Sequence, residues 1–397
     1  MSIILKNRTV EHRSLPQNEA AKSSSTPFTF VIGADTQLGI NSRNKEWQTE
    51  IEYSKQAVKH INALKPKPAF VTMCGDLVDM EAEMFIGVGD YKTREQCNEV
   101  QNQQWDDYNK VWSKINSDIP VLCLCGNHDV GNKPTPESID RFKSKFGDVY
   151  FAFWYKGCYF INLNTNIHND QRFCPELFEE QNDWLEGRLK YARQQPSTRR
   201  VFLFGHHPWF LFHENEELSE LTGRNYFPSN DGGFIPDAYF SISRTNRQRV
   251  MQMCKKYSVD ACFAGHFHQN WIGETTWGMP MITTGAICNW LLQSTAKDMT
   301  VAGNETAAGG IRVVTINDTL PRGFSHCYEC VVPPPVKKAP LTPPVNTSVS
   351  AAEQQQTNPG KAQAKSPLKS PKKVGRKVKA SSAPTRVSAR VRSLTPK

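Results

Sequence analysis

The sequence predicts a mixed α/β domain, and two observations predict it. Between Pro27 and about Val332, short apolar runs alternate with amphipathic stretches, the pattern of strands and helices interleaved in one domain rather than of separate all-α and all-β pieces. Several of those apolar runs lead straight into segments containing Asp, Asn or His, so strand ends are where the chemistry is expected.

The elements follow in order. Phe28 to Gly33 reads as a buried strand. Ile51, Val58, Ile61 and Leu64 recur at helical spacing, and Pro66 and Pro68 end that helix before a second strand, Phe70 to Cys74. Trp105 to Ile115 is predicted helical and Pro120 to Cys125 a strand. Tyr150 to Asn164 reads as a hairpin turning at Lys156-Gly157, followed by a helix from Pro175 to Gln194. Further strands are predicted at Val201 to Phe204, Asp260 to Phe263, Met281 to Thr284 and Ile311 to Ile316. Trp209 to Arg244 has no clear period and is predicted to be a long loop or cap.

Composition bounds the reading. A chain of 397 residues with 38% hydrophobic residues can bury a substantial core, which excludes a small disulfide-stapled scaffold. No stretch approaches the roughly 20 apolar residues needed to cross a bilayer, and Met1 to Gln17 holds only the short run Ile3-Ile4-Leu5. The expectation is a soluble, unsecreted protein whose eleven scattered cysteines are free thiols in a reducing compartment. The net charge of +9 is uneven. From Pro333 onward fourteen Lys and Arg face one acid, Glu353, so this segment carries +13 and the remainder −4. It also lacks aromatics. Such composition cannot offset its ordering entropy, so residues 333–397 are predicted to be a disordered basic tail, residues 1–26 to be loosely ordered, and 27–332 to be the domain.

Five short segments place metal-type ligands just after apolar runs: Gly33-Ala-Asp35-Thr-Gln37, Gly75-Asp76, Gly126-Asn127-His128-Asp129, Gly205-His206-His207-Pro208 and Gly265-His266-Phe-His268. A lone Gly-Asp pair is usually a turn, and a lone His-x-His a satisfied surface pair. Five together at strand ends point to metal, because converging carboxylates and imidazoles need a positive partner. Two divalent ions about 3.5 to 4 Å apart can clamp a phosphate oxygen and lower the pKa of a bridging water. Asp76 suits the bridging position, Asn127 offers a neutral carbonyl oxygen, and His206, His266 and His268 offer imidazole nitrogens. In an extended run residues i and i+2 face the same way, so His266 and His268 can reach one centre. The glycines would permit a tight turn out of each strand.

This ordered set, D-x-(H), GD, GNHD, H-x-P and GHxH, resembles the calcineurin-like metallophosphoesterase superfamily and spans Gly33 to His268. Gly126 to Thr135 and Phe146 to Trp154 resemble a narrower group within it, the cytosolic calcineurin-like phosphoesterase domain-containing serine/threonine protein phosphatases. The resemblance implies a two-sheet β-sandwich flanked by helices. It implies two divalent metal ions (Mn, Fe, Zn or Mg), one held by Asp35, Asp76 and His268, the other by Asp76, Asn127, His206 and His266. His128 would then serve the leaving oxygen as a proton or hydrogen-bond donor, with Asp129 orienting it. His206 is preferred to His207 as the ligand because the family places its ligand two residues before proline.

One position departs from the family. Where it usually has Asp-x-His, this chain has Asp35-Thr36-Gln37. Gln37 can ligate through its amide oxygen or hold a water, and a neutral amide makes that site weaker and biased to Mn or Mg over Zn. The implied reaction is in-line hydrolysis of phosphoserine or phosphothreonine in proteins by a metal-bridging hydroxide. Two alternatives stand beside it: a phosphodiesterase on nucleotides or nucleic acid, and a noncatalytic scaffold with a weakened first site. The expected location is cytoplasmic. The basic run Ser366 to Lys379 offers in addition a nuclear-import signal or a contact with an anionic partner such as nucleic acid.

Overall fold

A computed structural model describes residues 25–226, 234–288 and 309–331. The predicted basic tail and all but the last two residues of the predicted N-terminal segment lie outside these described residues.

The chain builds two mixed sheets. In the first, β1 (Phe28–Gly33) pairs in parallel with β2 (Val71–Met73), which pairs in parallel with β3 (Val121–Cys123). The hairpin β4 (Phe151–Tyr155) and β5 (Cys158–Asn162) belongs to the second sheet, where β5 pairs in parallel with β6 (Arg200–Phe204). A small hairpin, β7 (Arg224–Tyr226) with β8 (Phe234–Pro236), stands apart. The second sheet continues from β6 to β9 (Ala261–Ala264) and is completed by β10 (Trp271–Glu274) and β11 (Pro280–Thr283), in the order β10-β11-β9-β6-β5-β4. The first is closed by β12 (Gly310–Ile316) and β13 (Phe324–Cys330), in the order β13-β12-β1-β2-β3. This is the predicted two-sheet sandwich flanked by helices.

Alternation along the strands explains why the sheets stack. Phe28, Phe30 and Ile32 of β1 face the second sheet, while Val31 faces the helices. Phe202 and Phe204 of β6 face inward, while Val201 and Leu203 meet helices on the outside. The interior is dominated by phenylalanine: the rings of Phe30 and Phe70 lie 4.9 Å apart and those of the cross-strand pair Phe153 and Phe160 lie 5.1 Å apart. Truncating Phe160, which touches rings of both sheets, would cost about 3–5 kcal/mol by cavity formation. Helix α1 (Gln48–Ala63) lies on the outer face of the first sheet. The hairpin turns at Lys156 (φ 43°) and Gly157 (φ 77°), as the two-residue loop requires.

Three helices differ from the sequence expectation. After a single turn, α2 (Ala82–Phe85), the helix expected at Trp105 runs as α3 (Arg94–Trp112), started by a capping box between Thr93 and Gln96. Its first half buries Cys97, Gln101 and Gln104, so the face is inward but not apolar and the hydrophobic period fails there. The turn α4 (Asn127–Val130) is followed by α5 (Pro136–Phe146), which is capped by Thr135 with proline at its start. After the turn α6 (Asn166–Asn169), α7 (Pro175–Gln194) has the predicted bounds. Ser243 caps the third of these, α8 (Arg244–Lys256), at the end of the expected cap segment.

Candidate metal centre

The parallel strands of both sheets deliver their C-terminal ends to one edge of the sandwich. Asp35 follows β1, Asp76 follows β2, Asn127 opens α4 after β3, His206 follows β6, and His266 and His268 follow β9. All six are buried to 3% exposure or less. Four of them and Gln37 occupy the left-handed region, with φ of 54° at Asp35, 34° at Gln37, 50° at Asp76, 64° at His266 and 57° at His268. Each such non-glycine position costs about 1–3 kcal/mol and persists only where its surroundings hold it. Backbone bonds do so here: Asp35 N–H donates to Gly75 O (3.1 Å) and Gln37 N–H to Asp76 O (2.9 Å).

The flanking glycines serve mainly a different purpose from the turn expected of them. Only Gly75 takes a positive φ, 85°. A Cβ on Gly126 would stand 2.1 Å from Asp76 Oδ1, one on Gly205 2.4 Å from Thr165 Cγ2, and one on Gly265 2.6 Å from Asp35 Oδ2. They are glycine so that neighbouring strand ends can close on one another.

Two ligand groups result, Asp35/Asp76/His268 and Asp76/His206/His266, each with donor atoms within 4.8 Å of one another. Asp76 belongs to both, as a bridging carboxylate must. His266 and His268 sit at positive φ rather than in the extended run expected of them, and they fall into different groups of the one centre, the division that the resemblance implied. His206 Nε2 lies 3.0 Å from Asn127 Oδ1, 3.2 Å from His266 Nδ1 and 3.2 Å from Asp76 Oδ2. The other nitrogen of His206 donates to Cys74 O at 2.8 Å, which aims Nε2 at the cluster, where the neutral ring presents a lone pair. Lone pairs then confront lone pairs in a buried space, and a cation is the partner this donor set fits.

Electrostatics divide the imidazoles: against burial, Asp76 and Asp35 raise the pKa of His206, and Asp35 with Cys288 raises that of His268, so the carboxylates here draw in positive charge. Burial pushes the pKa of His266 well down, helped by His207 and His206, so its ring is neutral and free to ligate. Burial would raise that of Asp76, but His206 and His128 outweigh it and hold the carboxyl below the ordinary range. Asp35 is anchored by His266 N–H at 3.1 Å and lies 3.4 Å from His268 Nε2. Gln37 is buried beside this group, its amide oxygen accepting from Cys288 Sγ at 3.8 Å.

His128 stands at the rim with a side chain 15% exposed, and its backbone N–H donates to Asp76 Oδ1 at 2.8 Å. The expected partner of its ring is corrected. Asp129 accepts instead from the N–H groups of Leu77 (3.1 Å) and Gly126 (2.8 Å), tying α4 to the loop after β2. The residue at His128 Nδ1 is Asp79, with Oδ1 and the backbone O each 3.0 Å away. Burial would lower the pKa of His128, but Asp76 and Asp79 together raise it to about 10. Sequence reasoning missed Asp79 although a second acid three residues after Asp76 was a usable signal. It also missed Tyr239 in the cap segment. Tyr239 accepts from Asn127 Nδ2 and donates to Asn132 Oδ1, both at 3.2 Å, while its carbonyl lies 3.4 Å from His266 Nε2. His207, the less favoured alternative to His206, lies in neither ligand group; its ring centroid is 4.3 Å from that of His266, and its nitrogens have no hydrogen-bond partner among the described residues.

The chain is similar to known proteins. The sequence profile of the calcineurin-like phosphoesterase family matches residues 28–270. The serine/threonine-protein phosphatase CPPED1 of Danio rerio is 33% identical over 334 residues, covering 82% of this chain and 93% of that protein. The Homo sapiens protein of the same name is 31% identical over 66% of this chain and 75% of its own length. A solved dimetal phosphatase from Danio rerio matches with 14% identity over 73% of this chain and 93% of that one, at a TM-score of 0.47 that carries no weight in the assignment. With matched residues reaching from β1 to the last histidine segment and two Asp/His groups sharing one carboxylate, the chain belongs to the calcineurin-like phosphoesterase family, a family of dimetal hydrolases of phosphate esters.

Proposed function

We propose that this phosphoesterase is a phosphomonoesterase acting on phosphoserine and phosphothreonine in proteins. The observation that carries the reading is the 33% identity reaching across 93% of a protein named as a serine/threonine phosphatase. The rim of the site supports it. Serine and threonine leave as poor alkoxides, and His128, with Asp79 at its Nδ1, is placed to protonate them. Asp35, Asp76 and His268, with Gln37 beside them, would hold one divalent ion, and Asp76, Asn127, His206 and His266 the other. Bound there, the pair of ions would supply an activated water and Lewis-acid stabilisation of developing negative charge. Gln37, an amide where the family has imidazole, favours Mn or Mg at the first position.

Residues of the chain do the rest. Asp76 would keep two cations close by sharing its charge, Tyr239 of the cap segment lies against Asn127 and His266, and His128 stands at the edge of the cluster with its side chain partly exposed. No described helix is long and apolar enough to cross a membrane. A cytoplasmic location, with nuclear entry through the basic tail, completes the proposal, and a reporter fused to residues 361–397 checks the tail.

Initial rates of the Mn-loaded protein on a phosphoserine peptide, a phosphothreonine peptide, an aryl phosphodiester and single-stranded DNA test the substrate class. The two phosphopeptides should be preferred at least tenfold in kcat/KM. Preference for the diester or DNA would refute the reading, and so would full activity after Asn127→Ala or His206→Ala.

A further inference from the structure

Behind His128 lies a run of buried polar contacts that the metal centre does not use. Met80 N–H donates to Gln104 Oε1 at 3.0 Å, which fixes the way the Gln104 amide faces. Its Nε2 therefore donates to Asn44 Oδ1 at 2.7 Å, and Asn44 Nδ2 in turn donates to Asp79 Oδ2 at 2.7 Å. The remaining oxygen of Asp79 meets His128 Nδ1 at 3.0 Å. Gln104, Asn44 and Asp79 are each exposed by 2% or less.

The fold makes room for this run at some cost. Asn44 adopts φ 63°, and Gly39 (φ 116°) lies so near that a Cβ there would stand 2.4 Å from Asn44 Oδ1 and 2.5 Å from Gln104 Nε2. Two buried amides that merely filled space would be better replaced by apolar side chains. Amides arranged so that each settles the direction of the next transmit orientation.

We propose that Gln104 and Asn44 are positioning residues for leaving-group protonation. Through Asp79 they hold the His128 imidazole with Nδ1 turned inward and Nε2 toward the site, and so suit the enzyme to alkyl phosphates, whose alkoxide needs a proton, rather than to aryl phosphates, which leave unaided. The inference rests on the proposed role of His128.

The test compares two substrates of opposite demand, a phosphoserine peptide and 4-nitrophenyl phosphate, in wild type, Gln104→Glu, Gln104→Met and His128→Gln, with bound metal measured in each. Gln104→Glu keeps the shape but loses the donor, so Asn44 must turn its oxygen toward Asp79. The ratio of kcat on phosphoserine to kcat on 4-nitrophenyl phosphate should fall at least tenfold in His128→Gln and in Gln104→Glu, with metal content unchanged. Gln104→Met should show the same direction without an added charge. If His128→Gln leaves the ratio unchanged, the role of His128 is wrong. If His128→Gln lowers the ratio but both Gln104 variants leave it at the wild-type value, or depress both substrates equally, the positioning role is refuted.

Discussion

Replacing His168 with glutamine should flatten the loss of stability on acidification, although His168 takes no part in the metal centre. His168 is fully buried on α6, with Nε2–H donating to Asn182 Oδ1 and Nδ1 accepting from Gln181 Nε2, both at 3.2 Å. Both nitrogens are satisfied by the neutral ring, and the rings of Phe178 and Trp209 lie 5.1 and 5.0 Å away. Burial pushes its pKa down to about 4, against the bond to Asn182. A histidine whose folded pKa lies below its unfolded value stabilises fully above the unfolded value, about 6.5, and loses that contribution as the pH falls toward the folded one. Between pH 7 and pH 5 the unfolded chain gains a proton that the folded chain refuses, worth about 2 kcal/mol. Urea unfolding of the chelator-treated protein at both pH values, extrapolated to water, measures it. His168→Gln should be weaker at pH 7 by about 1 kcal/mol from poorer hydrogen bonding, yet lose about 2 kcal/mol less than wild type between the two pH values. An identical pH dependence in variant and wild type would refute the reasoning, since other titrating groups are common to both.

Three further outcomes are expected. Tyr239→Phe removes the acceptor that turns the Asn127 oxygen inward, and calorimetric Mn titration should show one site weakened about 10- to 100-fold while the other is unchanged. Gly126→Ala puts a methyl 2.1 Å from Asp76 Oδ1, so the purified protein should carry less than half the wild-type metal by elemental analysis, with a lowered Tm. Chelation followed by readdition of metal should restore Tm and turnover in two steps, the weaker assigned to the Gln37 side; tight stoichiometric zinc at both sites would contradict that assignment.

How much could be read beforehand varies by element. The bounds of α7 and the turn at Lys156-Gly157 were legible because local chemistry decides them: an apolar helical period in one, a two-residue loop with glycine in the other. The first half of α3 was not, since its inward face carries glutamine, buried there because Met80 and Asn44 satisfy Gln104 and the carbonyls of His128 and Asp129 accept from Gln101. The same distinction divides the site. Asp76, Asn127, His206, His266 and His268 announce themselves as ligand types following strands. Asp79 does not, because its role depends on where the His128 ring points.

By itself, then, the sequence determined a mixed α/β domain, the ligand chemistry at its strand ends and Asp76 as the carboxylate suited to bridge, which follow from residue type, period and order, while the two-sheet sandwich and the two ligand sets were implied by the family resemblance. Only the tertiary structure decided that Asp79 rather than Asp129 holds His128, that Tyr239 reaches Asn127, and that the glycines are there to let strand ends meet. Those facts depend on backbone angles and on contacts between segments far apart in the chain, which local pattern does not encode.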